Sequence, residues 1–440
     1  MALPTEVPLA HLLPAILPQF GGEAVEQGAE HEGWVVQRLG EAPLDEDRTL
    51  AELGAFDGEC LHVRPRADQL STIDYDDLVD GVGEQVASHP GALTPDRARW
   101  MFRTAAAVAL LLGLWLVPGT GSPSLQAQLA GALALALVLG SALLARGIAD
   151  TRTAGFLAAA AAGYAGLAAE LMVGILDPGA SFVLRATGAA AGALLALAAG
   201  VAAVTEGVIA FSGALVFSGI LLLTGVIGVL GGGDPAQVSA IGLVVSILLG
   251  VFVAPTAFRL SGLTLPMLPT DADELNEDIE PVSQDLVADR GAAVVGYSTA
   301  LQTGLGAAQA VLLPVLVFTG DGWGRALALL LGVVLLLRSR HPSTMVQRWA
   351  VLVPAGVAVA ANVVSFAAGQ SPEVRLLVLV PALFGASALL LLGGRRLPGR
   401  RMLPYWGRAV DIFETLTAVA ALPVLLQVLH VYSFMRALAG

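Results

Sequence analysis

From Met101 onward the chain is a series of long apolar runs parted by short polar breaks. About eleven runs can be counted, at approximately 102–118, 125–145, 154–175, 181–203, 208–230, 236–258, 298–319, 323–338, 347–369, 373–393 and 412–434. Around twenty residues of helix cross the hydrocarbon core of a bilayer, so each run has close to spanning length. Breaks fall at Pro118-Gly119, Pro178-Gly179, Gly231-Gly232-Gly233 and Ser371-Pro372, where Gly and Pro punctuate helices. The eighth run is short, and the fourth and fifth are parted only by Thr205-Glu206-Gly207.

The first hundred residues are patterned differently. Leu9, Leu12, Leu13, Ile16 and Leu17 form a helical stripe that Pro18 ends. The segments 34–39 and 60–64 read as strands, with Leu61 and Val63 on one face of the second. Three regions result: a small folded domain over 1–66, an acidic linker over 67–99, and a polytopic domain over 100–440. In the linker, Asp74, Asp76, Asp77 and Asp80 among Ile73, Tyr75, Leu78 and Val79 predict a short amphipathic helix or a solvated tether. One inner loop is long, over 259–297. Pro266 and Pro269 hold its first part extended, and Leu275, Ile279, Val282 and Leu286 set among acids predict a surface helix in its second.

Arginine placement gives the orientation. Loops retained in the cytoplasm keep their Lys and Arg. With the N-terminus inside, fifteen arginines flank inner ends, including Arg97, Arg146, Arg259, Arg338, Arg340, Arg395 and Arg408. Only Arg185, Arg325, Arg375 and Arg436 fall outside. The expectation is therefore a membrane all-α protein of about eleven transmembrane helices, N-in and C-out, in the bacterial inner (cytoplasmic) membrane, with the N-terminal domain cytoplasmic.

Composition narrows the chemistry. The chain of 440 residues is 56% hydrophobic and 13% charged, with a net charge of −13. Of the 36 acidic residues, 19 precede Met101 and eight more lie between Asp271 and Asp289, so the negative charge sits on two water-exposed pieces and disfavours nucleic acid. All 23 basic residues are arginine, which leaves no lysine for Schiff-base or P-loop chemistry. One cysteine, Cys60, permits no intrachain disulfide or thiolate cluster, and the six histidines show no ligand spacing. No catalytic, cofactor-binding or metal-binding residues are expected, and the reading is a non-enzyme. Transporters place ionisable groups or broken helices near the midplane. Here Gln309 and Asn362 are the clearest mid-span polar residues, and each is read as an interhelical hydrogen bond. Gly188 and Gly192 form a GxxxG, read as chance in so glycine-rich a chain.

The stretch Leu44-Asp45-Glu46-Asp47-Arg48-Thr49-Leu50, followed by a strand with Leu61-His62-Val63, resembles the C-terminal half of ubiquitin. That resemblance implies a β-grasp domain over roughly 5–66. It also implies that the first hairpin is missing, and hence a natural start roughly 25 residues upstream. On this alignment Arg38 and Arg64 take outward strand positions beside His62, a small basic stripe where ubiquitin is apolar. Gln37 falls where the fold prefers an apolar residue, so a register shifted by one stays open. A ubiquitin-like domain, the Asp76–Asp80 linker, eleven spans and the Leu-Pro-X-X-Pro element at 265–269 together resemble EccD, the polytopic subunit of the type VII (ESX) secretion system of actinobacteria. The resemblance implies a structural subunit that scaffolds the translocation machinery, forms a homodimer, encloses lipids and contacts other membrane subunits. It also implies docking of the ATPase through the cytoplasmic domain, with Arg38, His62 and Arg64 as candidate docking residues. The alternative is a secondary transporter of a small solute with a regulatory cytoplasmic domain.

Overall fold

The computed structural model describes residues 4–5, 7–17, 33–38, 43–56, 59–65, 94–148, 150–204, 208–263, 284–396 and 404–439. The linker pattern at 73–80, the Leu-Pro-X-X-Pro element and the acidic stretch Asp271–Val282 lie outside them. The chain divides into two compact units, Met1–Pro95 and Asp96–Gly440.

The first unit contains helix α1 (Leu9–Ile16) and strands β1 (Trp34–Gln37) and β2 (His62–Pro65), paired antiparallel. Positions i, i+3, i+4 and i+7 of α1 share a face, so Leu9, Leu12, Leu13 and Ile16 pack together against Val36 and Leu50. Trp34, Leu44, Leu61 and Val63 cover the edge of this core. Isolated bridges Pro8↔Thr49 and Gln37↔Pro43 tie the intervening loop to both elements. The Leu44 amide donates to the Val36 carbonyl at 2.8 Å, and the Leu9 amide to the Arg48 carbonyl at 3.0 Å.

The second unit is helical. Its elements are α2 (Pro95–Leu116), α3 (Pro123–Leu143), α4 (Thr151–Leu176), α5 (Phe182–Ala203), α6 (Val208–Gly231), α7 (Pro235–Leu249), α8 (Val253–Leu260) and α9 (Gln284–Thr319). They continue with α10 (Gly322–Arg338), α11 (Met345–Ala368), α12 (Val380–Arg396), α13 (Pro404–Val428) and α14 (Val431–Ala439). A short side chain opens many of them. Ser122, Asp150, Ser181, Asp234, Asp321 and Thr344 accept from the second or third amide inside their helices, and Asp234 with Gln237 closes a full capping box.

Among the described residues, ten helices are long and apolar enough to cross a membrane. The remaining apolar run, 323–338, is α10, which has 17 residues and falls below that length. It is deeply packed all the same: Leu327 and Ala328 are fully buried, with Leu331, Val334 and Leu335 nearly so. Helix α9 begins at Gln284, fourteen residues before its apolar run, so the second half of the expected long loop is partly an extension of a span. Hydropathy marks where a helix becomes apolar and not where it starts, and nothing between Gln284 and Ser298 breaks a helix.

The two largest hydrophobic cores organise the unit. Ala154, Ala158, Ala196, Leu197 and Phe211 join α4, α5 and α6. A larger one gathers Leu243 of α7, Leu313 and Leu316 of α9, Leu327 and Leu331 of α10, and Ala355 and Ala358 of α11. Helix α9 is central, with Leu305, Ala308, Leu312, Leu313, Leu316 and Val317 all buried. The span Pro372–Arg395 is the opposite case, with none of its residues buried inside the chain.

Candidate docking face and a polar knot between helix ends

Register decides which of the three candidate residues share a face in the first unit. Opposed residues of an antiparallel pair project to the same side, and neighbours along a strand alternate. Val36 opposes Val63 on the side of α1, while Val35 opposes Arg64 and Gln37 opposes His62 on the other. His62 and Arg64 are therefore brought together, His62 half-buried and Arg64 exposed. Gln37 sits on that outer side as well, which accounts for a polar residue at its position.

Arg38 is used differently. Its Nε donates to Glu59 Oε1 at 2.5 Å, and its Nη2 to the carbonyls of Leu53 and Gly54 at 3.1 and 3.2 Å. Glu59 in turn accepts from the Phe56 amide at 2.9 Å. The Arg38 guanidinium and the Phe56 amide together hold the Glu59 carboxyl below its ordinary 4.5. Arg38 thus fastens the loop before β2, where Gly54 takes the left-handed backbone at φ 66°. The sequence pattern signalled a basic residue at this position but carried no sign of its partner, because Glu59 lies 21 residues away.

In the second unit the charges collect at one place. Arg338 ends α10 and donates from Nε to Glu414 Oε1 at 3.2 Å and from Nη1 to the Ile247 carbonyl at 2.8 Å. Arg340 donates from Nη2 to Glu414 Oε2 at 3.0 Å and also bonds Asp411. His341 Nε2 stands 3.6 Å from Glu414. With its side chain 17% exposed, Glu414 is the hub of a knot joining α7, α10 and α13. Sequence reasoning marked Arg338 and Arg340 only as inner-end arginines and missed their partners Asp411 and Glu414. The available signal was their spacing, which puts both carboxylates on one helix face.

A second tie involves α2 and α4. Arg103 donates to Thr153 Oγ1 at 3.1 Å and to Asp150 Oδ1 at 3.3 Å. The Thr153 hydroxyl and amide, then Arg103, hold the Asp150 carboxyl below its usual range. The expected interhelical bonds are not found. Asn362 donates to the Ala358 carbonyl of its own helix at 2.8 Å, and Gln309 Oε1 is buried with no hydrogen-bond partner. Among the described residues no three His, Cys, Asp or Glu side chains gather as a metal site requires.

The family model for an EccD-like transmembrane domain matches residues 98–438. The chain belongs to the EccD family. A second family model, for protein YukD of the WXG100 protein secretion system (Wss), matches residues 1–63, the part that carries the ubiquitin-like pattern. Among solved structures, the EccD-family chain here is similar to protomer 1 of the ESX-3 core complex. The two are 20% identical with a TM-score of 0.60, over 99% of this chain and 96% of that one. It is also similar to a chain of the MycP5-free ESX-5 inner membrane complex in state II, 20% identical with a TM-score of 0.57, over 88% and 95% respectively. No curated protein matches the chain. The two structures establish a shared fold along nearly the whole EccD-like chain.

Proposed function

We propose that the chain is a non-catalytic inner-membrane subunit of a type VII (ESX) secretion complex. Its helices scaffold the translocation machinery, and its N-terminal domain is cytoplasmic and docks the ATPase. The observation that carries this reading is the order of two matched families in one chain, YukD at 1–63 and then the EccD-like transmembrane domain at 98–438. The likeness to an ESX-3 core-complex protomer over 99% of the chain supports it. So does the span Pro372–Arg395, whose apolar surface is left wholly to lipids, a second copy of the chain or another membrane subunit. The positive-inside bias supports the N-in orientation.

Within the docking domain, the exposed Arg64 and the neighbouring His62 carry the contact, and Arg38 supports it from within the fold. Arg64→Glu tests this without touching the Arg38–Glu59 clamp. Co-purification of the ATPase with the full chain falls while membrane abundance stays unchanged. Undiminished co-purification from the variant would remove the docking role from this face.

A further inference from the structure

A cavity of 540 Å³ opens among α7, α9, α10, α11 and α13, beside the polar knot. Its polar wall is Gln302, Gln309 and Gln347, and its rim carries Arg338, His341 and Glu414. We infer that this cavity is a water-filled vestibule that admits small neutral or zwitterionic hydrogen-bond donors from the end carrying Arg338.

The polar wall has a simple origin in the sequence. Ser298, Gln302 and Gln309 stand at i, i+4 and i+11 of α9, hence on one face. At 1.5 Å rise per residue they reach about 16 Å along the helix, roughly half the thickness of a hydrocarbon core. Gln347 at the start of α11 is engaged, donating to Thr299 Oγ1 at 3.0 Å. Gln309 is not: it is 2% exposed, lines the cavity, and its Oε1 has no partner. A buried amide left without a partner is costly, and in native proteins such a group is usually met by ordered water.

The same wall selects the occupant. An acyl chain filling the cavity would lie against Gln302, Gln309 and Gln347, whereas water or a hydroxyl, amide or ammonium group can bond to side-chain amides. The volume far exceeds the roughly 30 Å³ share of one water in the liquid. The rim does not favour either sign of charge strongly. Arg338 is matched by Glu414 and held by the Ile247 carbonyl, and Arg340 occupies the other Glu414 oxygen. A net ion therefore meets compensated charge, and a neutral or dipolar solute meets amides that both donate and accept.

The sequence offers a clean test, because Cys60 is the single cysteine and is exposed. In a Cys60→Ser background, Gln302→Cys and Gln309→Cys are made separately. Thr224→Cys serves as a control, since Thr224 is as buried as Gln309 but lies outside the cavity lining and bonds its own helix at the Ile220 carbonyl. Inverted and right-side-out vesicles of the native membrane are treated with a membrane-impermeant, uncharged, sugar-linked thiosulfonate. The two glutamine positions label roughly tenfold or more faster than the control, as an accessible thiolate does relative to a buried one. Labelling only by a lipid-soluble maleimide would overturn the vestibule in favour of a lipid-filled cleft, and no labelling of either position would also overturn it. With the proposed N-in orientation the Arg338 end is cytoplasmic, so labelling is expected in inverted vesicles. Labelling confined to right-side-out vesicles would refute that orientation and leave the vestibule standing.

Discussion

Arg38 and Glu59 show how one ion pair in a small domain is fixed by more than charge. The carboxylate is held by the guanidinium and by the Phe56 amide, and the guanidinium by two carbonyls as well, so the loop between β1 and β2 is closed at several points. Because the folded carboxyl lies below its ordinary 4.5, its contribution is complete above that value and is lost as pH falls through the lower folded one. Glu59→Gln is therefore expected to lower the denaturation midpoint of the N-terminal domain at pH 7 and to bring it closer to the parent chain on acidification. Urea titration of the full chain in detergent, followed by hydrogen exchange at the Phe56 amide, reads this directly. An equal gap between variant and parent at every pH would contradict it. A hydrophobic counterpart is Leu9, 1% exposed at the centre of the same core. Leu9→Ala is expected to cost about 2–5 kcal/mol, measured on the same transition. The apolar stripe of α1 was readable from its spacing, since 3.6-residue periodicity leaves a clear mark. The role of Arg38 was not, because a position in a strand pattern says nothing about a partner 21 residues away.

Between helices, glycine sets how closely backbones approach. A Cβ on Gly192 would lie 2.5 Å from the Ala165 carbonyl, and one on Gly188 would lie 2.7 Å from Val173 Cγ2, so the GxxxG is the contact between α4 and α5. The sequence reading that left this spacing to chance is corrected. With 51 glycines in the chain, spacing alone could not separate contact glycines from idle ones. Gly304 and Gly306 of α9 are closer still, against the backbones of Gly213 and Ala350. Gly219, Gly356 and Gly385 face open space. Gly192→Leu and Gly306→Leu should each cost about 1–3 kcal/mol or more through overpacking, seen as reduced folded yield and earlier thermal aggregation. Gly219→Leu should be tolerated, and loss of fold in that variant instead would contradict the contact assignment. The last apolar run illustrates another limit of pattern. Residues 412–434 read as one span, yet the helix ends at Val428 and restarts at Val431, with His430 at φ 57° and its Nδ1 2.8 Å from Gln237 Nε2. Hydropathy is continuous across this break, so only the backbone reveals it.

At the scale of the molecule, the spans were legible because burial in lipid demands uninterrupted apolar helix, and arrangement was not, because it depends on which helices exchange side chains. The polar knot is the main example: it joins residues 91 positions apart, Arg338 and Ile247, and 76 apart, Arg338 and Glu414. Removing its hub should loosen the tie between α13 and the end of α10. Glu414→Ala leaves Arg338 without a counter-charge and Arg340 with Asp411 alone, and is expected to destabilise by an amount between the ~1 kcal/mol of an exposed pair and the ~3–5 kcal/mol of a buried one. Thermal unfolding in detergent checks it, with Arg340→Ala giving a smaller loss. We propose that this EccD-family chain works as a scaffold within a larger assembly. The most direct measurement is purification of the tagged full chain from its native membrane in mild detergent, with mass spectrometry of what accompanies it and the mass of the particle. Recovery in a large particle with an ATPase and other membrane subunits is the predicted result. A stable lone monomer or dimer without partners would contradict the scaffold reading and bring forward a solute transporter.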